Sequence, residues 1–241
     1  MPQPATTSGD PFLQICASFL DFTRAASARK AISIATLGPA GTSSDHVART
    51  FLANVGNGDS RCELFDSYEE AARTVESGDN DLLLVANAYG NINQFYISHT
   101  LSLTTFFVHD TPPYGLARRR DGTPLDDEAP LVIATHPAPA HFVPWFMKTS
   151  GLEGEPTVRL VSSTSEAARL VADGSVDLCV TNDDARIRYQ LEFLSCTWPI
   201  QMLWSVFKNG SSRVFPKFPS AESRFPSADK VELLPRRAAA R

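Results

Sequence analysis

The sequence is poor in the patterns that bind metals or run redox chemistry. Its four cysteines, Cys16, Cys62, Cys179 and Cys196, form no Cys-x-x-Cys pair. They sit mostly inside apolar segments, which reads as buried, reduced thiols of a cytoplasmic protein. The five histidines, His46, His99, His109, His136 and His141, show no His-Glu-x-x-His or related spacing, so no metal is expected. Positive charge is scarce too. Lys and Arg number 22 against 27 Asp and Glu, for a formal net charge of -5, and only Arg118-Arg119-Arg120 is densely basic. That argues against nucleic acid as the main partner. No apolar run is long enough to span a bilayer, so no membrane partner is expected. The first ten residues lack a basic leader followed by an apolar core, which reads as no secretory signal. Gly38-x-x-Gly41 falls short of Gly-x-Gly-x-x-Gly, and no acidic residue follows a second strand at the right spacing, so a dinucleotide enzyme is a weak reading. No cofactor is expected.

What is present describes a folded chain. Hydrophobic residues make up 43% and charged residues 20%, and 241 residues suffice for one large domain or two small lobes. The most informative stretch is Thr36-Leu37-Gly38-Pro39-Ala40-Gly41-Thr42-Ser43-Ser44-Asp45-His46. It follows the apolar run Ala31–Ala35 and precedes a helical pattern at Val47, Ala48, Phe51 and Leu52, so it reads as strand, tight turn and helix start. Thr42, Ser43, Ser44 and Asp45 are helix-capping residue types. The stretch is either an anion seat at a helix N-terminus or a plain, well-capped turn.

Residues 1–10 read as disordered and 11–29 as an amphipathic helix bearing Phe12, Cys16, Phe19, Leu20 and Phe22, together an N-terminal extension over 1–30. That helix serves either as a homodimer interface or as a cover for a lobe. Pro216, Pro219, Pro226 and Pro235 make 211–241 a disordered tail, leaving 31–210 as the globular part. Within it, 70–84 and 166–180 echo one another as helix, Gly stop, acidic turn and buried strand. Asp66-x-x-Glu69 and Ser163-x-x-Glu166 fit capping boxes, and Gly78 and Gly174 stand where a helix-ending glycine belongs. Leu82–Ala86 and Leu178–Thr181 are continuous apolar runs suited to parallel sheets covered on both faces. Further strands are expected at 31–36, 61–65, 104–108, 114–118, 131–135 and 158–161, with 199–207 rejoining the first lobe. Two α/β lobes follow, the first over about 31–108 and 190–210 and the second over about 109–189, with a ligand cleft between them.

Three motifs resemble the catalytic domain of prephenate dehydratases. Leu37 through Ser44 is similar to their Gly-Pro-x-Gly-Thr loop, Thr135-His136-Pro137 to their Ser-His-Pro, and Ser162 through Ala168 to their Ser-Thr-x-Glu-Ala-Ala segment. The resemblance spans about 31–210 and implies a two-lobed fold like that of type II periplasmic binding proteins. There are departures. The Thr-Arg-Phe motif linked to turnover is replaced by Met202-Leu203-Trp204-Ser205-Val206-Phe207, and Pro-Ile-Glu-Asn-Ser by Ala86-Asn87-Ala88-Tyr89-Gly90. The chain after Phe207 is too short for a regulatory ACT domain, so Glu222-Ser223-Arg224, similar to an element of that domain, reads as coincidence. These departures resemble the bacilysin-type prephenate decarboxylases of antibiotic and natural-product pathways, secondary-metabolism enzymes that work without a cofactor. Similar to that branch are also Ala88-Tyr89 with Phe95-Tyr96, Asp110 through Ala117, and Thr181-Asn182 with Ala185-Arg186 and Tyr189.

The resemblance implies that prephenate loses CO₂ and keeps its ring hydroxyl, giving a dihydro-4-hydroxyphenylpyruvate. The alternatives are a dehydratase that forms phenylpyruvate and a non-catalytic binding module for small anions. Prephenate is a dianion, so hydrogen-bond donors at two helix starts are the expected grip: Thr42, Ser43 and Ser44 on one, Ser163, Thr164 and Ser165 on the other. Thr42, Ser44, His136 and Thr164 are the candidate catalytic residues. Ser43, Asn87, Tyr89, Tyr114, Ser163, Ser165, Asn182 and Arg186 are the candidate binding residues. His136 is either a proton donor or a helix-entry residue bonded to backbone. Arg186 is either a counter-charge or a surface helix residue. Trp204 and Phe207 are expected to pack and to form an apolar wall.

Overall fold

The computed structural model describes residues 11–121, 125 and 130–218, without the side chains of 11–17. The expectations for 1–10, for 219–241, for Glu222-Ser223-Arg224 and for the side chains of Phe12 and Cys16 lie outside the described residues. The apolar runs become two five-stranded sheets. The first holds β1 (Ser33–Leu37), β2 (Arg61–Phe65), β3 (Leu82–Ala86), β4 (Leu101–Asp110) and β10 (Gln201–Asn209), in the order β2-β1-β3-β10-β4. The second holds β5 (Tyr114–Arg119), β6 (Val132–Thr135), β7 (Thr157–Leu160), β8 (Leu178–Asn182) and β9 (Leu191–Phe193), in the order β7-β6-β8-β5-β9. In each sheet three strands run parallel and the other two run antiparallel to them or to each other. β9 belongs to the second sheet, so the expected return to the first lobe near residue 190 is early by one strand; the return comes at β10. The two crossings lie side by side, where Thr111 N–H donates to Ile200 O at 2.9 Å and Ile200 N–H donates to Thr111 Oγ1 at 3.1 Å.

Helices cover both faces of each sheet, because strands such as β3 and β8 are apolar on both sides and must be shielded twice. On the first sheet these are α1 (Pro11–Ser27), α2 (Ser43–Val55), α3 (Tyr68–Ser77) and the single turn α4 (Asn93–Tyr96). On the second they are α5 (Val143–Thr149), α6 (Thr164–Ala172) and α7 (Asp183–Arg188). In α1 the buried stripe is Ser18, Phe22 and Ala26, four residues apart, whereas Phe19 and Leu20 face solvent. Of the expected stripe Phe22 is buried, while Ser18 and Ala26 take the buried positions on either side of it in place of Phe19 and Leu20. Phe22 stacks on Phe215 at 5.3 Å and packs on Phe51 at 5.7 Å, so α1 covers a lobe face. Phe215 itself is buried, and Phe218 N–H donates to Leu103 O at 2.9 Å. Ordered packing thus extends to residue 218, past the expected limit at 210.

The echo is reproduced in space. Ser67 and Ser163 cap α3 and α6 by accepting from Glu70 N–H at 3.1 Å and Glu166 N–H at 3.0 Å. The first box is Ser67-x-x-Glu70, one residue later than the Asp66-x-x-Glu69 expected. Gly78 and Gly174 end the two helices at φ of 90° and 79°, a region that side chains with a Cβ resist. Asp81 and Asp177 then clamp the start of the neighbouring parallel strand. Asp81 Oδ2 accepts from Ser33 N–H at 2.9 Å, and Asp177 Oδ2 accepts from Val132 N–H at 2.8 Å. Of the cysteines, Cys179 is buried and burial pushes its thiol pKa up, whereas Cys196 is exposed and departs from the expected buried pattern.

Candidate active site

The strand ends of the two sheets face one another across a cleft of about 330 Å³, within the usual range for small-molecule sites. Three helix starts reach it: Thr42–Ser44 of α2, Ser67–Glu69 of α3, and Ser163–Thr164 of α6. The first N–H groups of a helix have no partner higher in the same helix, and they carry its positive end. Met202, Trp204, Leu37, Ala86 and Ala88 supply apolar wall.

The α2 start is held from both sides. Thr42 Oγ1 donates to Leu37 O at 3.1 Å and accepts from Asp45 N–H at 3.3 Å, while Asp45 Oδ2 accepts from Gly41 N–H at 3.0 Å. The Thr42 hydroxyl is therefore occupied by the cap, and what α2 can offer a ligand are its backbone N–H groups and the next two hydroxyls. Ser43 Oγ lies 2.8 Å from the Tyr114 hydroxyl and accepts from Asn182 Nδ2 at 3.3 Å. Ser44 Oγ lies 2.8 Å from the Tyr68 hydroxyl, which also accepts from Ala86 N–H at 3.3 Å. Burial pushes the Tyr68 pKa up to about 12, so the phenol stays protonated and has a proton to give Ser44. Burial likewise raises Tyr114, against hydrogen bonds from Ser43, Thr164 and Asn182 that pull the other way.

At the α6 start Ser163 is occupied by its cap, Thr164 lines the cleft, and Ser165 is fully buried with Oγ donating to Ala40 O at 3.0 Å. Ser165 therefore ties α6 to the loop before α2 and does not reach the cleft. The lobes are joined again where His46 Nδ1 sits 2.7 Å from Asp184 Oδ2. His136 lines the cleft; its Nδ1 accepts from Ala138 N–H at 3.2 Å, which leaves a neutral ring with its proton on Nε2. Burial lowers its pKa, consistent with that neutral form.

Of the expected residues, the cleft thus gathers Thr42, Ser43, Ser44, Tyr89, Tyr114, His136, Ser163 and Thr164, with Trp204 as wall. Four others lie off its lining. Ser165 is the tie just described. Asn182 is a buried cap of α7, accepting from Ala185 N–H at 2.9 Å, and reaches the site only through Ser43. Asn87 is locked in a closed ring: its Nδ2 donates to Tyr96 Oη at 3.0 Å, its Oδ1 accepts from Ser205 Oγ at 2.8 Å, and Tyr96 and Ser205 are 2.6 Å apart. Arg186 pairs with Asp183 at 2.6 Å and lies over the Phe193 ring at 5.3 Å; it is half-buried, its charge is already met by Asp183, and it stands off the cleft lining. Phe207 packs in the core with Phe95 and Tyr96, away from the cleft wall.

The sequence reading marked the α3 start as a capping box but did not count Ser67, Tyr68 and Glu69 among the site residues. The signal was present in the echo, which sets Tyr68-Glu69 against Thr164-Ser165 once the capping box is shifted by one.

No protein-family model matches the chain. The chain is 37% identical over 192 residues to the prephenate decarboxylase of Bacillus amyloliquefaciens, covering 78% of this chain and 92% of that protein. It is 36% identical over 191 residues to the prephenate decarboxylase of Bacillus subtilis (strain 168), covering 78% and 91%. A prephenate decarboxylase of Planktothrix agardhii (strain NIVA-CYA 126/8) is 34% identical over 180 residues, covering 74% and 88%. Among solved structures, the prephenate dehydratase of Arthrobacter aurescens superposes with a TM-score of 0.59 at 14% identity, over 75% of this chain and 61% of that one. The quorum-quenching acylase GqqA superposes with a TM-score of 0.56 at 20% identity, over 75% and 65%. These structural likenesses carry the two-lobed α/β fold.

Proposed function

The chain belongs to the prephenate decarboxylase family, and on that premise we propose that it removes CO₂ from prephenate and leaves the ring hydroxyl in place. Breaking the bond between C1 and its carboxylate forms a C1=C2 double bond and pushes the C2=C3 pair onto C3. If the hydroxyl left C4 at that moment, the ring would become aromatic and phenylpyruvate would form. If C3 takes a proton instead, the products are CO₂ and a dihydro-4-hydroxyphenylpyruvate. One proton is consumed and no electrons are exchanged.

The observation that carries the retained hydroxyl is the make-up of β10. The dehydratase motif implied by the resemblance would put Thr-Arg-Phe on this strand. Here Met202 and Trp204 line the cleft, and the Ser205 hydroxyl is taken up by Asn87 and Tyr96. A group able to protonate a departing hydroxide is therefore missing from that strand. In this reading the α2 and α6 starts hold the two carboxylates through N–H groups and the hydroxyls of Ser43, Ser44 and Thr164. His136, neutral with a proton on Nε2, is the candidate donor to C3. The product serves a natural-product pathway of the antibiotic type in the cytoplasm. The test is to incubate the protein with prephenate at neutral pH and identify the product by ultraviolet and NMR spectroscopy. A dihydro-4-hydroxyphenylpyruvate supports the reading. Phenylpyruvate would make the protein a dehydratase, and prephenate binding without CO₂ release would make it a binding module.

A further inference from the structure

One wall of the cleft carries the wrong charge for a dianion. Among the described lining residues there is no lysine or arginine, and the two carboxylates, Asp66 and Glu69, both come from the start of α3. Asp66 is exposed, whereas Glu69 is half-buried and built in. Its Oε1 accepts from the Tyr89 hydroxyl at 2.6 Å and from Gln94 Nε2 at 2.7 Å. Burial pushes the Glu69 pKa up, but the bonds from Tyr89 and Gln94 outweigh it and the net shift is downward. The group is a carboxylate at neutral pH and can only accept hydrogen bonds. Tyr89 is raised by burial and then by its bond to Glu69, so its proton stays on that bond.

Prephenate carries both of its negative charges at C1, one directly and one through the pyruvyl arm. Its C4 end, opposite, is an uncharged alcohol. Glu69 sets a full negative charge against the positive end of its own helix, whereas the starts of α2 and α6 bring hydroxyls to the cleft, and this difference between the walls orients the ring. The C1 end faces α2 and α6, and the hydroxyl faces Glu69. We propose that Glu69 determines product specificity by accepting the hydrogen bond of the ring hydroxyl and so keeping that hydroxyl on C4 during decarboxylation. Loss of hydroxide builds negative charge on the oxygen next to the carboxylate, which repels it and has no proton to give. Protonation of C3 removes negative charge from the ring and meets no such penalty. The inference rests on the decarboxylase reading above and adds the residue that divides its two outcomes.

The test is the ratio of phenylpyruvate to dihydro product, measured at neutral pH against an enzyme-free blank. E69Q keeps the side-chain shape and turns an acceptor into a donor. It is expected to raise that ratio at least about tenfold, the scale of one charge-assisted hydrogen bond. E69A is expected to move it the same way by less, and E69D, which keeps the charge, to stay near wild type. A shift in general stability would slow both outcomes together and leave the ratio alone. Wild-type ratios in folded E69Q and E69A would overturn the role of Glu69 while leaving the decarboxylase reading intact. A wild-type protein that releases no CO₂, or that makes only phenylpyruvate, would overturn that reading and this inference with it.

Discussion

The stretches 67–86 and 163–182 are built alike and present opposite chemistry to the same cleft. Each starts with a Ser cap that accepts from the backbone N–H of a Glu three residues on, ends its helix at a left-handed glycine, and clamps a neighbouring strand with an Asp. Each then enters a buried strand that runs parallel to the one clamped. At the first two helical positions the likeness stops. Thr164 and Ser165 offer hydroxyls, one to the cleft and one to the opposite lobe. Tyr68 and Glu69 offer a buried phenol and a carboxylate. The scaffold positions what a helix start displays, and those two residues decide whether the wall attracts an anion or repels one.

The largest expected effect breaks the shared scaffold. In D81A the Ser33 N–H, the Ser33 hydroxyl and the Arg29 guanidinium lose a partner; in D177A only the Val132 N–H does so among the bonds described. Urea unfolding is expected to show a loss of about 3 kcal/mol for D81A and about 2 kcal/mol for D177A, the cost of stranding part-buried donors once bonded to a charged group. Equal losses would mean that the extra bonds of Asp81 contribute nothing.

A smaller effect tests the two hydroxyl walls against each other. T164A and S44A are each expected to reduce kcat/KM about tenfold in protein that stays folded, S44A with a modest fall in melting temperature because it strands the buried Tyr68 phenol. Removing Ser44 Oγ also frees the Tyr68 phenol, so S44A is expected to show the larger change in kcat. Unchanged kinetics in both variants would retire the helix-start grip.

The smallest effect concerns His136. Burial lowers its pKa in the folded protein, so as pH falls the unfolded chain takes up the proton first. The stability it contributes is fully present above the ordinary imidazole pKa of about 6.5 and is lost as pH falls from there through the lowered folded value. H136Q is expected to flatten that acid-side decline in melting temperature. An identical decline in both proteins would assign it to other groups.

Much of this architecture was legible along the chain. The runs at 82–86 and 178–181 read as doubly covered strands and are β3 and β8, and Ser163-x-x-Glu166 marked its helix start correctly. The failures have local causes. Asp66 and Ser67 are both capping types with a Glu three residues on, and the choice between them is made by the burial of Tyr68, which no spacing reveals. Arg186 carried a readable signal, Asp183 one turn away, which already pointed to a local ion pair. Asn87 carried none, because its partners Tyr96 and Ser205 lie 9 and 118 residues away and meet it only across β3 and β10.

By itself the sequence determined the helix starts, the covered strands and the repeat that sets two lobes face to face, since capping and apolar runs act over a few neighbouring residues. Only the tertiary structure decided which polar groups reach the cleft. Whether a hydroxyl is free for a ligand or already bonded depends on partners brought together by the crossing strands. The same crossing brought Glu69 and Thr164 to one cleft, the first as an acceptor and the second as a hydroxyl.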